Sequence, residues 1–131
     1  MNFAITLKII VSLLAIYLLI VLYVYVKQRS LLYLPNIDNY EDENLNVAAE
    51  NIYIKNTDNI NLRSLYYEHP ANTKNTLLMF HGNAGPIENR FYKINKLSKY
   101  KQNILLISWR SYSGNEGNPT EEGLYLSLIH I

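Results

Sequence analysis

The sequence predicts an α/β protein entered through a single apolar helix. After one membrane-crossing segment come about four strands and one helix of an α/β domain. Three observations carry this reading. Ile9–Val26 is an uncharged run of 18 residues. Two short apolar runs, Thr76–Phe80 and Ile104–Ile107, have the length and composition of strands covered on both faces. Between them lies a segment of helical period, so strand, helix and strand follow one another as a parallel unit with a right-handed crossover.

Lys8 and Lys27 bracket the first run. At about 1.5 Å per residue it extends about 27 Å, close to the thickness of a hydrocarbon core. A helix pairs every backbone group internally, as the bilayer interior demands. Tyr23 and Tyr25 stand near one end, where aromatic rings favour the interface, and Lys8, Lys27 and Arg29 have stems long enough to reach headgroups. A buried core helix fits less well, because the run is apolar on every face. A cleaved signal peptide fits less well too, because the run exceeds the roughly 7–15 residues usual there and no A-x-A-like site follows. Residues 1–30 are therefore expected to be an uncleaved single-pass anchor with its flanks, and the lipid bilayer is its expected partner. Lys8 and the α-amino group balance Lys27 and Arg29, so charge does not orient the segment.

Net charge is +1, from 12 basic and 11 acidic residues. That balance gives no ground for a nucleic-acid partner. The absence of cysteine excludes disulfides, thiolate metal sites and thiol nucleophiles. Proline blocks the Asn118-Pro119-Thr120 sequon. The three histidines share no metal-ligand spacing, so neither metal nor cofactor is expected.

Residues 31–49 read as a connecting segment, with Pro35 and the acidic cluster Glu41, Asp42 and Glu43 in a solvated loop. The α/β part is assigned to residues 50–126. Asn51–Lys55 alternates and is rich in β-formers; Asn56-Thr57-Asp58-Asn59 is a turn, because Asn and Asp tolerate left-handed backbone. Leu62–Tyr67 is the return strand of a hairpin, ended by His69-Pro70-Ala71-Asn72. After the third strand, Ile87, Phe91, Ile94 and Leu97 form an apolar stripe, while Arg90, Lys93, Lys96 and Lys99 line a solvated basic face. Such a face could bind phosphate or anionic lipid; solvation is its default reading. Ser111–Pro119 is a loop. Thr120 stands as the N-cap of a further helix, with Glu121 and Glu122 at its positive end.

The chemistry is concentrated in His81-Gly82-Asn83-Ala84-Gly85, between a buried strand and a helix. Free N–H groups at a helix start, and glycine's close approach, suit bound negative charge. By itself this could serve a nucleotide phosphate or an oxyanion. The third glycine of a dinucleotide fingerprint and the Gly-Lys-Ser/Thr of a P-loop are both missing.

The segment Leu77–Gly85 resembles the oxyanion loop of α/β-hydrolases, in which the third strand runs into a His-Gly motif. Its Asn-Ala-Gly continuation is similar to the BEM46 and ABHD13-like branch. Arg90, the stretch from Ile104 to Ser113 and the stretch from Glu116 to Leu126 extend the resemblance, as do Leu31–Asn36 and the hairpin. It covers nearly everything from Ser30 to Leu126. Trp109 stands where the branch has tyrosine, Ser111 and Ser113 where it has glycine, and Asn115 where it has serine. Serine at positions that use glycine for unusual backbone angles predicts strain there. Residues 127–131 depart from the pattern, and the native reading is expected to end near Leu126.

The resemblance implies acyl transfer from an ester, thioester or amide, with a substrate that is a small molecule or lipid-like. It implies that the backbone N–H of Asn83 is one oxyanion-hole donor, with His81, Gly82 and Gly85 shaping the loop. The other donor would follow the nucleophile on a Gly-x-Ser-x-Gly elbow, and no such motif occurs here. Nucleophile, acid and base are thus absent. His81 comes too early in the order Ser, acid, His to be the base, and Arg110 and Tyr112 are expected to brace the loop. The resemblance implies that the α/β-hydrolase fold is incomplete here, so this chain alone is expected to be unstable and inactive, with Thr76–Phe80 as an exposed sheet edge. Two other readings remain: a non-catalytic membrane-anchored binding or assembly module derived from half a hydrolase domain, and a nucleotide-binding strand–helix–strand module using Gly82–Gly85.

Overall fold

The computed structural model describes residues 2–35 and 46–128. The acidic cluster Glu41–Glu43, and His130 with its neighbours Ile129 and Ile131, lie outside the described residues. The chain divides at Leu32 into two compact units.

The first unit is helix α1, Phe3–Leu32, with no buried residue. It is long and apolar enough to cross a membrane. It runs two residues past the expected boundary at Ser30, since Leu31 and Leu32 continue the helical turn.

The second unit is built on a four-stranded sheet: β1 (Glu50–Lys55), β2 (Asn61–Tyr67), β3 (Thr76–Phe80) and β4 (Asn103–Ile107), in the order β1-β2-β4-β3. β1 and β2 form the expected antiparallel hairpin. Asn59 closes its turn at φ 64°, a conformation that Asn adopts readily. The buried Asn56 side chain accepts the Ile60 N–H across the same turn. β2 pairs antiparallel with β4, and β4 pairs parallel with β3, as a strand–helix–strand unit requires.

Register assigns the two faces, because cross-strand partners share a face. Leu65 pairs with Leu106 and Tyr67 with Ile104, while Leu77 and Met79 pair with Ile104 and Leu106. On this face the stripe Ile87, Phe91, Ile94 and Leu97 closes the core. The opposite face carries Leu78 and Phe80, which remain 44% and 37% exposed. Among the described residues nothing pairs with the outer edge of β3, so the expected open edge is present.

The segment expected as one helix from Ile87 is two pieces, a 3-10 turn at Ile87–Arg90 and helix α2 at Phe91–Leu97. Arg90, at φ −117° and ψ 3°, sits at the junction. Its guanidinium turns back onto the carbonyl oxygens of Ala84 and Asn89. Arg90 is therefore not part of the solvated basic face to which its spacing assigned it; its donors cap the preceding loop instead.

Helix α3, Glu121–Leu128, begins as expected at Thr120, whose Oγ accepts the Gly123 N–H at 3.0 Å. It passes Leu126 without interruption. Ser127 is fully buried, donates to the Gly123 carbonyl and accepts from Arg110 Nε. Arg110 in turn pairs with Asp58 of the hairpin turn at 2.8 Å, so one buried guanidinium joins hairpin, loop and α3. That confirms a bracing role for Arg110.

Candidate active site

β3 delivers His81 to the C-terminal edge of the sheet, where open α/β sheets place their ligand crevices. The imidazole is buried. Its Nδ1 lies 2.8 Å from the Gly82 carbonyl oxygen. A carbonyl only accepts, so Nδ1 carries the proton and Nε2 is left as an acceptor. Nε2 accepts the backbone N–H of Trp109 at 3.3 Å. Burial pushes the His81 pKa down to about 4 against the Gly82 bond, with Arg90 adding to the depression, so the ring is neutral at pH 7.

The start of the loop after β4 locks onto this histidine. The Trp109 indole N–H donates to the His81 carbonyl at 2.8 Å, and the Trp109 ring stacks on Phe80 at 5.2 Å. The Tyr112 ring meets the His81 ring edge-on at 5.0 Å, and its hydroxyl donates to the Asn83 carbonyl at 2.9 Å. Burial raises the Tyr112 pKa, so that donor keeps its proton. Asn83 O also accepts from Leu34 N–H, and Leu34 O accepts from Gly85 N–H, each at 2.9 Å. Leu34 and Ala84 thus form a short parallel bridge. Gly85 takes φ 71°, and a side chain there would collide with the Asn89 amide.

Three of the four expected loop residues, His81, Gly82 and Asn83, line one apolar hollow of about 200 Å³, completed by Tyr33, Trp109, Tyr112 and Leu124. Gly85 sits behind it, buried, as the hinge of the turn. The orientation of the Gly82–Asn83 peptide follows from the His81 bond. In a trans peptide C=O and N–H point in opposite directions, and no cis bond occurs among the described residues. With Gly82 O drawn toward the buried imidazole, the Asn83 N–H points the other way.

Ser108 presents its hydroxyl 3.4 Å from His81 Nε2, which has the look of a nucleophile and its base. It is not one. Ser108 is fully buried and donates to Ser113 Oγ at 2.9 Å, while Ser113 Oγ accepts the Ile87 N–H. The hydroxyl is spent inside the protein. Ser111 and Ser113 adopt φ 70° and 54°, the left-handed backbone expected of glycine positions. Asn115 holds their loop through the carbonyls of Ser108 and Trp109 and the N–H of Arg63.

Sequence reasoning missed two parts of this site. Leu34 lay in what read as a connector, although the resemblance at Leu31–Asn36 marked it. The Ser108–Ser113 pair left no signal in periodicity, since both are polar residues in a polar loop.

No family model matches the chain. Among curated proteins, bem46 of Schizosaccharomyces pombe is 32% identical over 126 residues, covering 85% of this chain and 40% of its own length. The α/β-hydrolase domain-containing protein WAV2 of Arabidopsis thaliana is 28% identical over 105 residues, covering 74% of this chain and 34% of its own length. This chain is a relative of the bem46-like α/β-hydrolases. It spans about two fifths or less of the curated relatives it matches. A solved esterase of Pyrococcus furiosus superposes with a TM-score of 0.58 at 20% identity, covering 76% of this chain and 39% of the esterase. At that identity the likeness concerns the fold. It gives the α/β-hydrolase topology to the four strands and helices described above.

Proposed function

We propose that this bem46-like chain supplies the anchor and the oxyanion side of a membrane-anchored serine hydrolase. The reaction is acyl transfer from an ester, thioester or amide, on a small-molecule or lipid-like substrate. Helix α1 holds the protein on the bilayer, which favours acyl substrates drawn from or near it. The Asn83 backbone N–H is the first oxyanion donor; the second donor, the nucleophile, the acid and the base belong to sequence beyond this chain. The observation that carries the reading is the His81–Gly82 bond. It turns the Gly82–Asn83 peptide so that its N–H faces away from the buried imidazole, at the strand end where such folds react.

His81 is a positioning residue in this account. A ring held neutral, with Nε2 occupied by Trp109 N–H, is not available as a general base. The fully buried Ser108 cannot meet a substrate.

The test uses two proteins, the chain as it stands and a fusion carrying it in place of the matched part of Schizosaccharomyces pombe bem46. Both are purified in detergent and given p-nitrophenyl esters of increasing acyl length. The fusion is expected to turn over, with a preference for longer chains, while residues 1–131 show nothing above buffer. Turnover by residues 1–131 alone would contradict the assignment of the nucleophile to missing sequence.

The exposed Leu78 and Phe80 beside the open β3 edge favour a second reading, a binding or assembly module without catalysis. A monodisperse chain of 131 residues, together with a folded but inert fusion, would support that reading over the first.

A further inference from the structure

The basic face of α2 is unused by the site. We propose that Tyr92, Lys93, Lys96, Lys99, Tyr100 and Lys101 form a docking surface for the anionic headgroups of a membrane. The proposal rests on α1 being a membrane anchor.

Charge comes first. No acidic residue occurs between Asn89 and Asn115, and four lysines fall within residues 93–101. Among the described residues the two ion pairs are Arg63–Glu88 and Arg110–Asp58, and neither involves these lysines. The lysines instead lie against tyrosines. Lys93 and Lys96 stand 6.0 and 5.5 Å from the Tyr92 ring centre, and Lys99 stands 5.1 Å from that of Tyr100. A cation held over a ring is positioned without being neutralised.

The aromatic partners matter as much. Tyr92 and Tyr100 are 38% and 52% exposed, so both rings are open to a partner. Tyrosine interleaved with lysine is the composition that sits at headgroup depth, the ring in the interfacial zone and the ammonium on phosphate. The face cannot roll inward, because Ile94 is fully buried and Phe91 and Leu97 pack against the same core.

The choice of a surface over a soluble anion follows from composition. The lysines are interleaved with the exposed rings of Tyr92 and Tyr100, which an interfacial zone accommodates and a soluble anion does not engage. Connectivity supplies the rest. The second unit begins at Tyr33, directly after α1, so an anchored chain keeps this face at high local concentration near headgroups.

The test is lysine footprinting of the full chain in nanodiscs of phosphatidylcholine alone, or with about one third phosphatidylserine, a composition chosen to give a strong surface potential. Acetylation by a water-soluble ester is read by mass spectrometry, with the exposed Lys55 and Lys74 as internal controls. Lys93, Lys96 and Lys99 are expected to be protected several-fold on the anionic discs, with the protection lost at high salt and the controls unchanged. A variant carrying Lys93→Glu, Lys96→Glu and Lys99→Glu should leave Lys101 equally reactive on both discs. Equal reactivity of the wild-type lysines on both discs, in a chain that co-elutes with both, overturns the docking surface and leaves the anchor standing. Co-elution with anionic discs alone overturns the anchor and with it the proposal that rests on it, and co-elution with neither does the same. Protection on neutral discs by added inorganic phosphate would assign the lysines to a free anion and overturn the membrane surface.

Discussion

The Nδ1–H of His81 donates to the carbonyl oxygen of its own neighbour, Gly82, at 2.8 Å. A side chain thereby fixes the peptide that carries the Asn83 N–H, and a neutral ring is required for the rest of its contacts. Protonating Nε2 would set a donor against the Trp109 N–H that it now accepts.

A pH dependence follows. The ring's folded pKa is near 4, below its ordinary value of 6.5. Above pH 6.5 neither state is protonated here and the stabilisation is complete. As pH falls from 6.5 to 4 the unfolded chain takes up a proton that the folded ring refuses, and about 3 kcal/mol is lost across that window. Denaturant midpoints of the bem46 fusion in detergent should therefore drop between pH 7 and pH 4.5. His81→Gln should lower stability at pH 7 and flatten this dependence.

Tyr112→Phe removes the hydroxyl donated to Asn83 O and leaves the ring against His81. Leu34 N–H still serves the same carbonyl, so the loss is that of one ordinary hydrogen bond, about 1 kcal/mol. Equilibrium unfolding at pH 7 measures it directly.

Two serines on left-handed backbone should respond oppositely to glycine. At Ser111, φ 70°, the bonding is through the backbone, so Ser111→Gly relieves strain and should stabilise by about 0.5–1 kcal/mol. At Ser113, φ 54°, the hydroxyl serves both Ile87 N–H and Ser108, and Ser113→Gly should destabilise despite the same relief. Paired unfolding curves decide this, because strain alone would give both the same sign.

Gly123→Ala tests the packing of α3. Intrinsic propensity favours alanine by about 1 kcal/mol. A Cβ at this position would lie 2.8 Å from Arg110 Cδ and 2.9 Å from Thr120 Oγ. Arg110 has no room to yield, being held by Asp58 and Ser127. The variant should be destabilised by about 1–3 kcal/mol, measured as a lowered denaturant midpoint.

The elements that were legible in sequence are those whose signal is local. The uncharged run of α1, the alternation of β1, the apolar blocks of β3 and β4 and the Thr120 cap each declare themselves within a few residues. The left-handed loop was legible as well, because serine stands at positions where relatives use glycine. What was not legible depends on the shape of loops or on contacts far apart in sequence. Arg90 carries the right spacing for a solvated face, yet its donors are drawn to Ala84 O and Asn89 O by a loop whose shape spacing does not encode. Leu34 joins an isolated bridge to Ala84, fifty positions later. Ser127 looked foreign beside the family pattern, yet it fills a fully buried place against Arg110.

The most direct test of the central claim separates the backbone of residue 83 from its side chain, in the bem46 fusion. Asn83→Pro removes the N–H, and Asn83→Ala keeps it while trimming an exposed side chain. If that N–H holds the oxyanion, Asn83→Pro should lose about 10²–10³ in kcat with KM little changed, while Asn83→Ala stays near the parent. Equal activity of the proline variant and the parent, in a fusion that is folded and labelled by a fluorophosphonate, would contradict the assignment.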